Sequence, residues 1–329
     1  MVCQTRMAYL QAPTTTIYGV LFIIGSVFTV IANSMVLVIL WMPRNRSRSN
    51  KILTSLAVSD LLVGLVVFPI NSYQMLSKHG LSDCPVDYAR VYFAVFLEGS
   101  SVLTLAVVSL DRYLLMTKYN KYQTRAAKQL TAVLLVAAWV IPAVAPAFRW
   151  VGRVTYLVLI FVIFFAPFFI LMGSYFLIAR TLRKQELILI KRHKESFVMN
   201  SENLKLDEVI KSSEQQSTTV TTTTRMRTEK AHIKLAKSVI WLLIVYFCCV
   251  TPKNIWIIVY LADSFHHFWE PLSHQNYYLF AMLMVSYNSF FNPIVYFWKN
   301  PQIRKGLRKM LRVSKNKLTS VTSHSSTQY

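Results

Sequence analysis

Ionisable side chains interrupt the long apolar stretches of this sequence at a few isolated positions. Asp60, Glu98 and Lys253 each stand among apolar residues, and Asp111-Arg112 closes the stretch that begins at Val91. A charge inside hydrocarbon is costly, so such a residue is by default a candidate for ion binding, ligand recognition or switching. Which chemistry is open to each depends on the elements that surround it.

Seven stretches are apolar and long enough to cross a membrane, which takes about 20 residues for about 30 Å of hydrocarbon. The chain has 329 residues, 54% of them hydrophobic, and a mean hydropathy of +0.40, which is too apolar for one soluble domain of this length. The fold class predicted is an all-α membrane protein, a seven-transmembrane helix bundle. Its spans are residues 17–41, 52–76, 89–116, 129–148, 154–179, 238–262 and 275–298.

The placement of Lys and Arg predicts the orientation of the bundle. These residues concentrate in the connections 1–2, 3–4 and 5–6 and in the C-terminal tail; on the other side the N-terminus carries Arg6, the 2–3 connection Lys78, and the 6–7 connection neither Lys nor Arg. The positive-inside rule then places the N-terminus outside the plasma membrane and the C-terminus in the cytoplasm. The net charge is +22, and the Lys and Arg residues that produce it border the spans. We therefore expect them to contact anionic membrane lipid, and we expect no nucleic-acid partner.

The chain divides into three segments. Residues 1–16 are predicted to be an extracellular arm without a cleavable signal peptide, and 17–313 to be the membrane domain. This domain contains a long cytoplasmic loop, 180–237, whose ends at 178–194 and 229–237 look helical. Residues 301–311 space apolar residues among cations and predict a short amphipathic eighth helix on the inner leaflet. Residues 314–329 are predicted to be a disordered tail rich in Ser and Thr.

The four cysteines fall into two groups. Cys3 and Cys84 both face the oxidising side and could form a disulfide bond, or remain apart because the N-terminal arm is short. Cys248 and Cys249 lie within the sixth span, where we expect them to pack.

Several spans carry polar residues that could meet in the bundle interior. Asp60 lies in the second span, Ser101 in the third, and Asn288 and Asn292 in the seventh. One carboxylate with hydroxyl and amide oxygens suits a small hard cation with some waters. A hydrated polar network without metal explains the same residues equally well, so both interpretations stay open.

Prolines mark weak points in three spans. Pro293 follows Asn292 and precedes Tyr296 by three residues, and Pro167 and Pro252 lie in the fifth and sixth spans. A proline inside a helix removes one backbone hydrogen bond and favours a kink. Kinked spans are common in membranes, and only the combination is informative.

With these motifs in their order, the chain resembles the rhodopsin-like (class A) G-protein-coupled receptors over about residues 17–313, as an orphan-type member. The resemblance is carried by seven features on successive spans: Asn33, the stretch ending at Asp60, Asp111-Arg112-Tyr113, Trp139, Pro167 with Tyr175, Cys249-x-x-Pro252, and Asn292-Pro293-x-x-Tyr296.

The resemblance implies a receptor, not an enzyme, that activates a heterotrimeric G protein and is then bound by receptor kinases and arrestin. It implies that Asp60, Ser101, Asn288 and Asn292 form a sodium pocket, with no other cofactor. It also implies that Arg112, Tyr175 and Tyr296 rearrange when the sixth helix swings outward about Pro252.

The chain departs from the family pattern at several positions. Val250 replaces the usual Trp of the sixth span, Tyr246 replaces a Phe, and Tyr119-Asn120 replaces a Pro and an apolar residue that docks in the G protein. The 4–5 connection is very short and has no cysteine, as in melanocortin receptors, although Pro167 does not fit that group. A receptor with weak or atypical coupling is therefore an alternative, and a transporter or channel a more distant one.

Two ligand classes are excluded by the resemblance. Ala94 stands where receptors for biogenic amines carry an Asp, and Ser286 where opsins carry the retinal-binding Lys. We expect a peptide or a small polar or amphipathic ligand instead.

Glu98 and Lys253 are the predicted centre of the ligand pocket. Glu98 lies 14 residues outward of Arg112 and Lys253 lies 16 residues outward of Lys237, about 20 and 24 Å along their helices. Their equal depth on facing helices predicts that they line the pocket and pair when it is empty; the alternative is that Lys253 snorkels outward. The other predicted lining residues are Asn71, Phe164, Trp256, Tyr278 and Met282.

A second tether of Arg112 is missing from the sequence. In many relatives an acid twenty residues before the helix-six proline holds this Arg, and here the position is His232. We expect Asp111 to restrain Arg112 almost alone, and the protein therefore to signal without ligand.

Overall fold

The computed structural model describes residues 12–42, 47–77, 84–117, 122–203, 241–262, 271–300, 303–310 and 312. Within these residues the protein is all-helical, and seven helices are long and apolar enough to cross a membrane, which confirms the predicted fold class. The helices are α1 (Ala12–Trp41), α2 (Arg48–Leu76), α3 (Cys84–Thr117), α4 (Arg125–Val144), α5 (Arg153–Asn203), α6 (Trp241–Ala262), α7 (Pro271–Lys299) and α8 (303–310).

Side-chain caps fix where α2 and α4 begin. The Ser47 hydroxyl accepts a hydrogen bond from the Asn50 amide (3.2 Å) at the start of α2, and the Thr124 hydroxyl accepts one from the Ala127 amide (3.3 Å) at the start of α4. Each cap satisfies a backbone donor that the first helical turn leaves unpaired. The local sequence therefore sets the entry points of α2 and α4, next to the end of α3.

The third helix lies at the centre of the bundle. In the most apolar stretch of α3, 78% is buried inside the protein, whereas the corresponding share for α4 is 22%. The large apolar side chains that remain exposed, such as Val133, Phe169 and Trp298, cover the surface that hydrocarbon would contact. Functional residues on α3 therefore face other helices and not lipid.

Two helices contain a short π-helical segment. These are Val63–Val67 in α2 and Ala94–Glu98 in α3, and each is continuous with α-helix on both sides. A π segment adds one residue to a turn and so rotates the rest of the helix about its axis, and such segments are frequent at functional sites. Glu98 is the last residue of the second one.

The fifth helix extends beyond its span, as predicted for residues 178–194, and it continues without interruption to Asn203, nine residues further than predicted. The 4–5 connection is as tight as predicted, since a 3-10 turn, Ala145–Trp150, ends α4 and α5 begins at Arg153. The predicted helical end at 229–237 and the tail 314–329 lie outside the described residues.

The eighth helix packs against the first. A Cβ atom built on Gly306 would lie 2.4 Å from the Ile39 side chain, so only glycine permits this approach. Ile303 is fully buried, while Arg304, Lys305, Arg308 and Lys309 are exposed, as expected of an amphipathic helix.

Cys84 is in a disulfide bond, and Cys248 and Cys249 are free thiols. Cys3, its predicted partner, lies outside the described residues, so the Cys3–Cys84 disulfide stays a prediction. Cys249 is buried as predicted, whereas Cys248 is exposed on the outer surface of α6.

Candidate functional site

Glu98 and Lys253 are in contact across the outer half of the bundle. Lys253 Nζ lies 3.4 Å from Glu98 Oε2, and Glu98 Oε1 accepts a hydrogen bond from the Ser286 hydroxyl (2.6 Å). The Lys253 ammonium also lies 3.8 Å from the centre of the Phe164 ring. The side chain of Glu98 is 3% exposed and that of Lys253 16%, so the two charges are paired away from bulk solvent. One cluster thus joins α3, α5, α6 and α7.

The backbone of α5 accepts hydrogen bonds from α6 beside this cluster. The Phe164 carbonyl accepts hydrogen bonds from the Tyr246 hydroxyl and from Asn254 Nδ2 (3.4 Å). Phe164 lies one turn before Pro167, whose ring disturbs the backbone hydrogen bonds of that turn. The departure from Phe to Tyr at position 246, visible in the sequence, therefore has a structural role: its hydroxyl ties α6 to α5.

Arg90 is a site residue that the sequence reasoning missed. Its guanidinium contacts Asp87 Oδ1 (2.6 Å), donates to the Tyr278 hydroxyl (3.0 Å) and lies 3.2 Å from the Met282 sulfur. Arg90 is only 5% exposed. An Asp three residues before an Arg near a span boundary was the available signal, since that spacing pairs them on one helix face.

Among the remaining predicted lining residues, Tyr278 and Met282 contact Arg90, and Trp256 contacts Tyr278. The Tyr278 ring packs against Trp256 with centroids 4.7 Å apart, and Trp256 stacks on Tyr260 at 4.9 Å. Asn71 on α2 is 1% exposed, and neither of its amide atoms has a hydrogen-bond partner among the described residues. The structure therefore brings Glu98, Lys253 and Phe164 into one cluster and Tyr278, Met282 and Trp256 into a second, around Arg90.

Asp60 lies in a fully buried polar network at mid-depth. Its Oδ1 accepts from the Ser101 hydroxyl (2.6 Å) and its Oδ2 from Asn292 Nδ2 (3.0 Å). Asn288 Oδ1 and Asn292 Oδ1 are buried without a hydrogen-bond partner among the described residues. Ser101 and Asn292 are thus bonded to Asp60 as predicted, whereas no hydrogen bond joins Asn288 to Asp60 among the described residues. In the described part of the chain, no three His, Cys, Asp or Glu side chains lie close enough together to hold a metal ion.

Near the Thr117 end of α3, Asp111 is bonded to α2 and not to Arg112. Its Oδ2 accepts from the Ser49 hydroxyl (2.6 Å), and its Oδ1 lies 3.3 Å from Arg48 Nε. Arg48 also lies over the Tyr122 ring (3.6 Å) and donates to the Tyr122 carbonyl (2.9 Å). The prediction that Asp111 restrains Arg112 is therefore wrong for this structure.

The physical reason is that Asp111 already has partners on α2. Ser49 and Arg48 form the first turn of α2, and the capped start of that helix places them beside the end of α3. Arg112 is partly buried and has no ion pair among the described residues. His232, the position of the missing acid, lies outside the described residues.

The other predicted activation residues lie along the inner half. Tyr296 is 2% exposed, and its hydroxyl has no hydrogen-bond partner among the described residues. Pro293 is buried within the continuous helix α7, Tyr175 and Pro252 are partly buried, and the Tyr113 carbonyl accepts from Thr117 (2.6 Å). A buried tyrosine hydroxyl that has no partner can form a hydrogen bond after a helix moves.

The sequence of this chain matches one known protein family over most of its length. The profile of the family described as 7 transmembrane receptor (rhodopsin family) matches residues 32–152 and 146–296. This range holds Asp60, Glu98, Asp111, Lys253 and Asn292.

Individual relatives are distant and differ in what their names say they bind. Probable G-protein coupled receptor 45 of Mus musculus is 24% identical, over 92% of this chain and 84% of its own length. The high-affinity lysophosphatidic acid receptor of Xenopus laevis is 23% identical, over 91% of this chain and 83% of its own. The 5-hydroxytryptamine receptor 6 of Mus musculus is 34% identical, but over only 37% of this chain and 28% of its own. Among solved structures, squid rhodopsin superposes with a TM-score of 0.68 at 15% identity, covering 95% of this chain and 90% of its own, which shows a shared fold.

Proposed function

This chain belongs to the seven-transmembrane receptors of the rhodopsin family, and we propose that it passes the binding of an extracellular ligand to a heterotrimeric G protein. The receptor lies in the plasma membrane with its N-terminus outside and its C-terminus inside. The distribution of Lys and Arg over the connections supports this orientation.

The observation that carries the proposal is the ion pair between Glu98 and Lys253. It joins α3, the central helix, to α6, the helix that carries Pro252 one residue before Lys253. A ligand group that binds either charge competes with the other, and so weakens a contact between α3 and α6. Ligand binding and the position of α6 are thereby coupled through two side chains.

The coupling acts as a population shift between two packings of the helices. A ligand shifts such an equilibrium only by its difference in affinity for the two states. Replacing the Lys253–Glu98 contact in one packing supplies that difference. In the other packing Arg112, Tyr175 and Tyr296 are exposed to the G protein.

We propose an amphipathic ligand with an anionic group. Lys253 and Arg90 supply two cations, and the aromatic rings of Phe164, Trp256 and Tyr278 supply apolar walls. The match to a lysophosphatidic acid receptor along most of the chain supports a phosphate- or carboxylate-bearing lipid, with an acidic peptide as the second choice. Ala94 and Ser286 argue against a monoamine and against retinal.

Sodium is the proposed allosteric ion of this receptor. The Asp60 carboxylate lies in a network with the buried amide oxygens of Asn288 and Asn292, which have no partner among the described residues, and such a set of oxygens suits a small hard cation with some waters. Asp60, Ser101, Asn288 and Asn292 would hold it. The ion would supply positive charge that stabilises the packing in which the four residues meet.

The inner half carries the proposed coupling machinery. Asp111, Arg112 and Tyr113 lie in the last two turns of α3, near the surface where the G protein would bind. Pro252, Pro293 and Tyr296 permit the helices to repack. Ser and Thr in the tail 314–329 are proposed to accept phosphate from receptor kinases and then bind arrestin. Contact with anionic inner-leaflet lipid comes from α8, whose exposed residues are cationic.

Nucleotide exchange with purified protein tests the proposal. The receptor in lipid nanodiscs is mixed with each G-protein class, and candidate lysophospholipids, acidic peptides and amines are added. Lys253→Met and Glu98→Gln should each abolish the ligand response, while Asp111-Arg112 remains in place. Absence of exchange with every G-protein class, with and without ligand, would refute the coupling proposal.

A receptor with weak or atypical coupling is the second candidate. Val250 is buried at 1% exposure where the family usually has a Trp, so the residue that normally reports pocket occupancy on α6 is missing. Arrestin recruitment on ligand addition, without nucleotide exchange on any G protein, would favour this candidate over the first.

A further inference from the structure

The cytoplasmic ends of α6 and α7 are joined by three side chains. The rings of Trp241 and Trp298 lie 5.0 Å apart between centroids. The ammonium of Lys299 lies 3.6 Å from the centre of the Trp298 ring and 5.0 Å from that of Trp241. One cation therefore contacts two indole faces that belong to different helices. Trp is the best aromatic partner for a cation, and both distances are within the range of about 6 Å.

Interfacial anchoring alone does not account for this arrangement. Tryptophans are common at membrane–water interfaces, and Trp298 is 55% and Trp241 38% exposed. Trp41 at the end of α1 is 71% exposed and has no ring or cation contact in the described part of the chain, which is what anchoring alone predicts. Trp241 and Trp298 instead contact each other and share a cation.

The three side chains lie where a movement of α6 would separate them. Trp241 lies 11 residues before Pro252, or about 16 Å along the helix. A change of about 20° in the kink at Pro252 would move Trp241 by about 6 Å, beyond the reach of a cation–π contact.

Backbone hydrogen bonds follow the end of α7 toward α8. The Asn300 amide donates to the Tyr296 carbonyl (2.8 Å), and the Asn300 carbonyl accepts from the Arg304 amide (3.0 Å). These bonds continue the backbone of α7 toward α8, which packs on α1 through Gly306. Lys299 and Trp298 thus lie next to backbone hydrogen bonds that lead toward α8, whereas Trp241 lies on α6.

We infer that Trp241, Trp298 and Lys299 form a cation–π clamp that holds α6 against α7 and opens when the receptor activates. The inference rests on the proposed function, since it assigns the clamp a role in that activation. It gives the protein a restraint on α6 that does not use Arg112, at a receptor where the usual acid is replaced by His232. Lys299 is a positioning residue: it acts on α6 through the two rings.

Removing the charge while keeping the shape tests the clamp. Lys299→Met keeps a long apolar side chain and should raise ligand-free nucleotide exchange about five-fold, as loss of roughly 1 kcal/mol of cation–π contact implies. Lys299→Arg retains a cation that stacks on indole and should leave exchange at the wild-type rate. Trp41→Leu, a matched loss of an exposed cytoplasmic-side Trp, should also leave it unchanged.

A second measurement does not depend on the G protein. Receptor labelled with 5-fluorotryptophan is purified without G protein, and the resonance of Trp241 is assigned from the spectrum of Trp241→Phe. Lys299→Met should shift this resonance, and Lys299→Arg should restore it. A shift without any nucleotide exchange would leave the clamp standing and refute G-protein coupling. An unchanged Trp241 resonance in Lys299→Met, or an equal effect of Trp41→Leu on exchange, would overturn the clamp.

Discussion

The two ends of α3 use their acidic residues in opposite ways. At the outer end Glu98 pairs with Lys253 and so ties α3 to α6, a helix that must move. At the inner end Asp111 pairs with Arg48 and Ser49 and so ties α3 to α2, while Arg112 remains without an ion pair among the described residues. Among the described residues, the acid at the outer end of α3 thus pairs with α6, whereas the acid at the inner end pairs with α2.

This difference changes the restraint that ligand binding has to overcome. A receptor held at its inner end must transmit the ligand's effect through the whole bundle before the restraint breaks. Here the ligand would compete directly with the polar contact between α3 and α6. Substitutions at each end of α3 can therefore separate the two restraints.

Breaking the outer ion pair should have the largest effect on stability. Lys253→Met leaves the Glu98 carboxylate buried at 3% exposure without its cation. Removing one partner of a buried pair costs about 3–5 kcal/mol of unfolding free energy. Thermal unfolding of the purified receptor measures the loss, with Lys184→Met as a control for an exposed lysine. The double variant Glu98→Gln with Lys253→Met should recover most of the stability; no recovery would argue against the pair as the source.

Sodium should stabilise the network that lies between the two ends. If sodium binds at Asp60, it raises the free energy of unfolding of the wild type by about 1.4 kcal/mol when the sodium concentration is ten times the dissociation constant. Asp60→Asn removes the carboxylate, and the difference in melting temperature between sodium and choline chloride should disappear. Comparing salts within each variant removes the effect of the substitution itself. A sodium effect that persists in Asp60→Asn would place the ion elsewhere.

Releasing Asp111 from α2 should lower ligand-free signalling. Arg48→Ala removes the cation that holds Asp111, so the carboxylate can pair with Arg112 and stabilise the inactive packing. The expected change is about 1 kcal/mol, or about a five-fold fall in basal nucleotide exchange. Lys51→Ala, an exposed cation one turn along α2, serves as the control. A basal rate that rises in Arg48→Ala would show that Asp111 restrains Arg112 poorly in any arrangement.

The smallest effect is expected from the hydroxyl of Tyr246. Tyr246→Phe removes one hydrogen bond to the Phe164 carbonyl, which still accepts from Asn254. The loss should be about 1 kcal/mol or less of unfolding free energy, because the acceptor keeps a partner. Asn254→Ala combined with Tyr246→Phe leaves that carbonyl without either bond and should cost more than the two single changes together. Strict additivity would mean that the two bonds are independent.

Sequence alone predicted the outer pair well, because depth in a helix follows from counting. A rise of 1.5 Å per residue places Glu98 and Lys253 at one level without knowledge of any contact. The family motifs then place α3 and α6 face to face. The seven spans were equally predictable, since they follow from length and hydropathy.

The inner end was not predictable, because it depends on how short connections bring helix ends together. Nothing in the sequence states that the first turn of α2 lies beside the end of α3, so Arg48 looked like an orientation charge. Arg90 was overlooked for a similar reason, as an Arg near a span boundary ordinarily snorkels to the interface. The π segment that ends at Glu98 has no sequence signal that we can identify.

The length of α5 has an electrostatic consequence for the loop after it. The helix has 51 residues, of which 29 form the candidate span. The remaining 22 residues extend about 33 Å further. The field of the anionic inner leaflet falls off over a Debye length of about 8 Å at physiological salt. Asn203, at the end of this extension, therefore lies several screening lengths along the helix from the candidate span, where a negative charge would meet little repulsion from anionic headgroups.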